Sequence, residues 1–281
     1  MCIRDSLITI GADVDPKSNV RVAGVDFNAG DPLSAPRRLT AADVALLAAM
    51  NVPSVPVATQ PKVAIIATGD ELVMPGETPG PDQIVASNSF GLAAQLENLG
   101  ALPRILPIAR DTAASLRTVF DLARGSDLIV TIGGASVGDH DLVASVAADL
   151  GMEQSFYKVA MRPGKPLMAG RLHDTPMIGL PGNPVSALVC GTVFVTPVIR
   201  AMLGLPAEPM SLRTAPLSAA LPANGPREHY MRGQLGPEGV RAFGRQDSSL
   251  LTVLAGANAL VVRPPHDPAR EIGEKVPYIA L

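Results

Sequence analysis

Apolar residues are scattered at the start of the chain and fall into regular patterns only from Lys62 onward. Val63 to Thr68 is a continuous run of the kind that fills a strand buried on both faces. From about Asn88, Leu92, Leu96 and Leu99 recur at helical spacing, and Gly100 supplies a stop. Leu102 to Ile108 returns to a strand pattern. Thr112 then offers an N-cap to a helix with Leu116, Val119, Phe120 and Ala123 on one side, ended by Gly125. Asp127 to Ile132 reads as another buried strand, and Asp141 to Leu150 as another helix closed by Gly151. This alternation predicts an α/β fold with a doubly wound, mainly parallel sheet. In such sheets ligands collect at the carboxyl ends of the strands, in the loops that enter the helices.

The flanks differ from this pattern. Residues 1–60 are punctuated by Pro16, Pro32, Pro36, Pro53 and Pro56, and only Ala41 to Met50 carries a helical pattern, with Thr40 as N-cap. This stretch is expected to be an incomplete N-terminal segment ending in a linker. Residues 61–205 are expected to form the α/β domain. Residues 206–281 hold short apolar runs, such as Ala259 to Val262, between prolines and glycines, which predicts a small β-rich C-terminal domain.

Composition narrows the class. A chain of 281 residues with 47% hydrophobic content can bury a sizeable core. Charged residues are 17% and the net charge is −3, which argues against a disordered chain and against a broadly basic nucleic-acid binder. The apolar stretch Ala187 to Leu203 contains Thr192, Thr196, Pro197 and Arg200, so it reads as a buried helix and no membrane association is expected. Cys2 and Cys190 are too few for a disulfide framework, and Cys190 reads as a small core residue. No signal peptide is evident, so a cytoplasmic location is expected.

Four loops carry candidate chemistry. In Thr68-Gly69-Asp70-Glu71-Leu72, adjacent carboxylates directly after a buried strand suit a hard cation or a held water, or else a helix-capping pair. In the Gly133 to Asp141 loop, Gly133, Gly134 and Gly138 with Ser136 free backbone N–H groups to point at an anion, and Asp139 and Asp141 stand beside that nest. The alternative, a tight glycine turn with a capping Asp, is disfavoured because three glycines and two acids crowd one strand end. Lys158, Arg162 and Lys165, in a loop stiffened by Pro163 and Pro166, suit an oxyanion clamp or a solvated basic loop. In Leu180 to Ala187, Asn183 fits an N-cap and Pro184 the first helical position, so the helix start offers N–H groups to an anion, with the Ser186 hydroxyl nearby. Together the loops suit a phosphate-bearing ligand, a divalent metal and a second oxyanion. No Walker-type Gly-Lys-Ser/Thr loop and no Gly-x-Gly-x-x-Gly after a strand is present, which disfavours ordinary nucleotide kinases and dinucleotide oxidoreductases.

These motifs occur in the order seen in molybdopterin molybdenumtransferases, the molybdenum insertases related to the C-terminal domain of gephyrin, and the chain resembles that family from about residue 20 to its end. The resemblance implies an enzyme of molybdenum cofactor biosynthesis that inserts molybdate into adenylated molybdopterin and releases AMP, with Mg2+ assisting. It implies catalytic roles for Asp70, Glu71, Asp111 and Asp141, and metal binding by Asp70, Glu71, Asp139 and Asp141. It implies substrate binding by Gly133, Gly134, Ser136, Asp139, Lys158, Arg162, Lys165, Pro181, Gly182, Asn183, Pro184 and Ser186. Ser248, in Gln246 to Leu250, is similar to a serine of the family's C-terminal domain, with Asp247 standing where the resemblance implies Gly. A homodimer is likewise implied. Family chains begin with a long segment before the Gly24 to Phe27 region, so this chain is expected to be N-terminally shortened. The alternative is a molybdopterin-binding module without turnover, as in competence-damage-type proteins. Those lack the Pro181 to Ala187 loop pattern followed by a C-terminal β domain.

Overall fold

The computed structural model describes residues 21–134 and 142–281. The chain divides into two compact units, Met1–Pro56 and Val57–Leu281. In the first, helix α1 (Ala41–Ala49) begins at a capping box. The Thr40 hydroxyl accepts from the Asp43 amide and the Asp43 carboxylate accepts from the Thr40 amide. Arg37 pairs with the same carboxylate. No residue of α1 is buried, so capping rather than packing sets its limits.

The second unit opens with β1 (Lys62–Ala67), the short pair β2 (Leu72–Val73) and β3 (Ile84–Val85), helix α2 (Asn88–Leu99) and β4 (Leu102–Ile105). Then come α3 (Ala113–Leu122), β5 (Leu128–Ile132), α4 (Leu142–Asp149), β6 (Met152–Tyr157), β7 (Met161–Arg162), β8 (Met168–Leu172) and β9 (Thr175–Leu180). A six-stranded sheet has the order β4-β1-β5-β9-β8-β6. β4, β1, β5 and β9 are parallel, while β8 and β6 extend the edge antiparallel.

The two-faced burial expected of β1 and β5 is present. Val63 and Ile65, with Leu128 and Val130, enter one apolar cluster with α2. Ala64 and Ile66, with Ile129, enter another with α3 and α4. Gly100 ends α2 at φ 95°, the left-handed conformation that glycine adopts without strain. The antiparallel edge was not evident in the sequence, because Gly170 and Pro176 dilute the strand pattern of β8 and β9. A Cβ on Gly170 would lie 2.3 Å from the Glu153 oxygen, so glycine lets the bulged β6 approach.

Helix α5 (Pro184–Cys190) passes through a π-helical turn at Gly191–Val195 into α6 (Thr196–Met202). The helix begins at Pro184, the first helical position expected from the sequence, ahead of the apolar run. By length and composition its 19 residues are enough to cross a membrane, yet 56% of the span lies buried within the fold. Val185, Ala187, Val189, Val195 and Ile199 share a cluster with both β1 and the second sheet.

That second sheet has the order β10-β14-β13-β11-β12, from β10 (Arg213–Pro216), β11 (Glu228–Gly236), β12 (Gly239–Ala242), β13 (Ala259–Arg263) and β14 (Lys275–Ala280), with helix α7 (Leu251–Ala255) before β13. Strand β7 adds to it in parallel, setting Arg162 opposite His229. The architecture is therefore an α/β body with a mainly parallel sheet, followed by a β-rich C-terminal part.

Candidate functional site

Sheet order fixes where a ligand can enter. From β1 the chain crosses to β4 on one side, then back over β1 to β5 on the other, so a topological switch lies between β1 and β5. At the carboxyl ends of those strands lies a cleft of about 850 Å3, lined by Thr68, Gly69, Glu71, Asp111, Gly133, Gly134 and Pro181 to Pro184 among others. Its far walls are the starts of α2 and α5, tied together by the Asn88 side chain, which donates to the Gly182 carbonyl at 2.6 Å.

Glycines let the loop after β5 lie close to the end of β1 and to α4. A Cβ on Gly133, at φ 92°, would meet the Thr68 carbonyl oxygen at 2.8 Å. A Cβ on Gly134 would lie 2.1 Å from Val143. The loop after β5 can therefore lie against the end of β1 only as glycine. Buried hydroxyls of Thr68 and Ser89 at this cleft have no hydrogen-bond partner among the described residues.

The acids expected here separate into different positions. Glu71 and Asp111 line the cleft. Asp70 turns to the loop itself, its Oδ1 accepting from the Asp111 amide at 3.1 Å. Arg110 holds the same loop, its Nη1 donating to the carbonyls of Asp70 at 3.1 Å and Leu72 at 3.0 Å. Ser136, Asp139 and Asp141 lie outside the described residues. Among the described residues no three metal-ligating side chains converge.

The basic loop reaches the cleft through Pro166. Its shape is set by Lys158 N–H to Leu167 O at 2.8 Å and Val159 N–H to Lys165 O at 3.1 Å. Lys158 places its ammonium over the Tyr157 ring, 4.8 Å from the centroid. Gly164, at φ 111°, seats the loop on α5, where a Cβ would be 2.3 Å from Cys190 Sγ. Burial pushes the Cys190 thiol up to about 12, so it stays protonated as core.

Arg162 faces a second set of residues that the sequence did not single out. Arg232, in β11, is fully buried. Its Nη2 donates to the Asp247 carbonyl at 2.8 Å, while Nε and Nη1 have no partner among the described residues. Burial and the nearby Arg162 charge lower its pKa. Gln246 fixes the backbone here, accepting from the Arg232 amide at 3.0 Å and donating to its carbonyl at 2.9 Å. His229 is also buried, its Nε2 without a partner among the described residues, and desolvation, then Arg162, depresses its pKa to about 4. A buried cation with free donors beside a second cation is costly unless an anion completes it.

The first turn of α5 joins the two regions. Pro184 lines the cleft, and the next amide, of Val185, donates to the Ser248 carbonyl at 3.1 Å. Ser248 follows Asp247, whose carbonyl holds Arg232 and whose carboxylate accepts from the Ser249 amide and hydroxyl at 2.8 and 2.7 Å. Asn183 precedes the helix without a side-chain cap, and Ser186 is buried within it.

Residues 64–201 match the sequence profile described as "Probable molybdopterin binding domain", and residues 214–281 match that of the "MoeA C-terminal region (domain IV)". A molybdopterin molybdenumtransferase of Nostoc sp. is 39% identical over 89% of the chain and 60% of its own length. Molybdopterin molybdenumtransferase 2 of Mycobacterium tuberculosis is 36% identical over 90% and 65%, respectively. The chain belongs to the molybdopterin molybdenumtransferase family. A solved MoeA protein of Pyrococcus horikosii shares the fold of this molybdenumtransferase-family chain with a TM-score of 0.76 and 31% identity, covering 87% of the chain and 60% of that structure. The chain thus spans about 60% of the length of these relatives. Arg232 and Ser248 fall inside the matched C-terminal region, and the cleft residues of β1, α2, β5 and α5 inside the matched molybdopterin-binding profile.

Proposed function

We propose that the chain acts in molybdenum cofactor biosynthesis, inserting molybdate into adenylated molybdopterin with release of AMP. One observation carries this reading. A buried guanidinium, with two donors unpartnered among the described residues, is held by Asp247, whose neighbour Ser248 is bonded to the first turn of α5 at the edge of an acid-lined cleft at the sheet's switch point. Insertion needs that pairing, a phosphoanhydride site next to a pocket for a tetrahedral dianion.

In this account the glycine loop after β5, with Ser136, and the start of α5, with Pro181, Gly182 and Asn183, hold the phosphate of the pterin nucleotide through backbone N–H groups. Arg162 and Arg232, with Lys165, Ser186 and the Ser248 loop, hold molybdate. Lys158 supports the loop from its place over Tyr157. Preorganised donors of this kind are worth roughly 2.7–4 kcal/mol each where charge develops.

Glu71 and Asp111 are oxygen donors of the kind Mg2+ takes, and an ion that keeps waters and substrate phosphates needs only one or two protein carboxylates. They fit the cation, with Asp139 and Asp141 completing the set and Asp70 fixing the loop. When bound, Mg2+ would shield the phosphate charge as AMP departs. The family resemblance supports a cytoplasmic homodimer, with residues 61–205 and 206–281 as separate domains that share the site.

The test is AMP release. The chain loaded with adenylated molybdopterin and Mg2+ should release AMP on adding molybdate, and Asp111→Asn should slow that release by about a hundredfold, the scale of one lost electrostatic group. A folded, substrate-bound chain that releases none would refute the reading.

A further inference from the structure

We infer that Arg110 is a positioning residue, clasping the Gly69 to Leu72 loop so that Glu71 stays in the cleft. The inference rests on the reading of the cleft given above and adds a residue to it.

The sequence places Arg110 just past β4, where the chain turns toward α3. Ala109 is bridged in parallel to Thr68, and its carbonyl accepts from the Gly69 amide at 3.1 Å. The two loops therefore leave the sheet side by side. From there Arg110 sends its guanidinium over the neighbouring loop. A single nitrogen, Nη1, faces the carbonyls of Gly69 at 3.4 Å, Asp70 at 3.1 Å and Leu72 at 3.0 Å. The Arg110 amide is held by the Ser115 hydroxyl at 2.9 Å, and the next amide, of Asp111, donates to the Asp70 carboxylate.

This arrangement does more than satisfy an arginine. Carbonyls at Gly69, Asp70 and Leu72 point to one nitrogen only if the loop is curled around it, and that curl turns the intervening Glu71 to the cleft. The clasp also links Glu71 to Asp111, because both ends of it sit on the Arg110-Asp111 dipeptide. The role depends on reach. A lysine ammonium would keep the charge but stop one bond short of Nη1.

The experiment uses the full chain and its Arg110→Ala and Arg110→Lys variants. Hydrogen exchange at the Leu72 and Asp111 amides should accelerate by about tenfold in both variants, as expected for two or three lost hydrogen bonds, with β1 and β5 unchanged. Unaltered exchange would overturn the clasp. Mn2+ binding in the presence of AMP supplies the functional readout. Both variants should bind about tenfold more weakly, since opening the clasp frees Glu71. If Arg110 acted only through its charge, Arg110→Ala would bind the cation more tightly and Arg110→Lys as the wild type does, and that result would overturn the inference. Faster exchange in variants of a wild-type chain that holds no Mn2+ and AMP would support the clasp and overturn the reading of the cleft.

Discussion

Glu71 folds its carboxylate back over Gly69, so closely that a Cβ on Gly69 would lie 2.3 Å from Oε2. Gly69 also sits at φ 145°, where side chains are strained. Gly69→Ala should therefore cost about 1–3 kcal/mol of stability from the backbone alone. Because the clashing atoms end a flexible chain, the larger effect should be displacement of the carboxylate. Urea unfolding gives the first quantity and Mn2+ binding the second. Unchanged Mn2+ affinity would contradict the role given to Glu71.

Arg232 makes the opposite kind of prediction. Its free donors and its proximity to Arg162 mean that burying it contributes little to folding without an anion. Arg232→Met should leave stability within about 1 kcal/mol of wild type, or raise it. Molybdate at a hundred times its dissociation constant should stabilise the wild type by about 2.7 kcal/mol and the variant not at all. A variant that still gains stability from molybdate would remove Arg232 from the oxyanion pocket.

His229 sets a pH dependence. Its pKa is depressed to about 4, whereas an unfolded histidine titrates near 6.5. Between those values the unfolded chain binds the extra proton, so stability falls as pH drops through that window and is fully present above it. The loss should approach roughly 3 kcal/mol by pH 4 and shrink in His229→Asn. Urea midpoints across this range measure it directly, and a flat wild-type profile would contradict the burial of a neutral imidazole.

Asp267 tests the C-terminal sheet. Its carboxylate is buried between Arg263, itself buried, and Arg270, whose Nη2 donates at 2.6 Å. Those partners hold its pKa below the ordinary carboxylate value, the Arg270 bond most strongly. Asp267→Ala strands the Arg263 charge and should cost about 3–5 kcal/mol in equilibrium unfolding. A cost under a kilocalorie would mean that water already reaches the pair.

What the sequence revealed follows from the range of the forces involved. Caps and stops are local, so Thr40 before α1, Thr112 at α3 and Gly100 after α2 were legible in a few consecutive residues. Buried parallel strands are also local signals, and β1 and β5 were found. Gly133 and Gly134 read in the sequence as a nest for an anion, whereas the close approach of Thr68 and Val143 that also requires them comes from distant segments. Arg232 and Arg110 carried no such mark. Each acquires meaning from a distant segment, Arg232 from the pairing that sets Arg162 beside β11 and Arg110 from the loop after β1. The different duties of Asp70 and Glu71 were hidden for the same reason, since adjacent carboxylates look alike until the Asp111 amide claims one of them.

The proposed function requires the cleft to hold the pterin nucleotide with Glu71 facing it. Equilibrium binding of adenylated molybdopterin to the chain, with Mg2+ and beside Glu71→Gln, tests this most directly. Saturable binding is expected of the wild type, weakened about tenfold or more in the variant, in line with the loss of a charged hydrogen-bonding or metal-holding group. Equal binding by both chains, or none by a folded wild type, would contradict it.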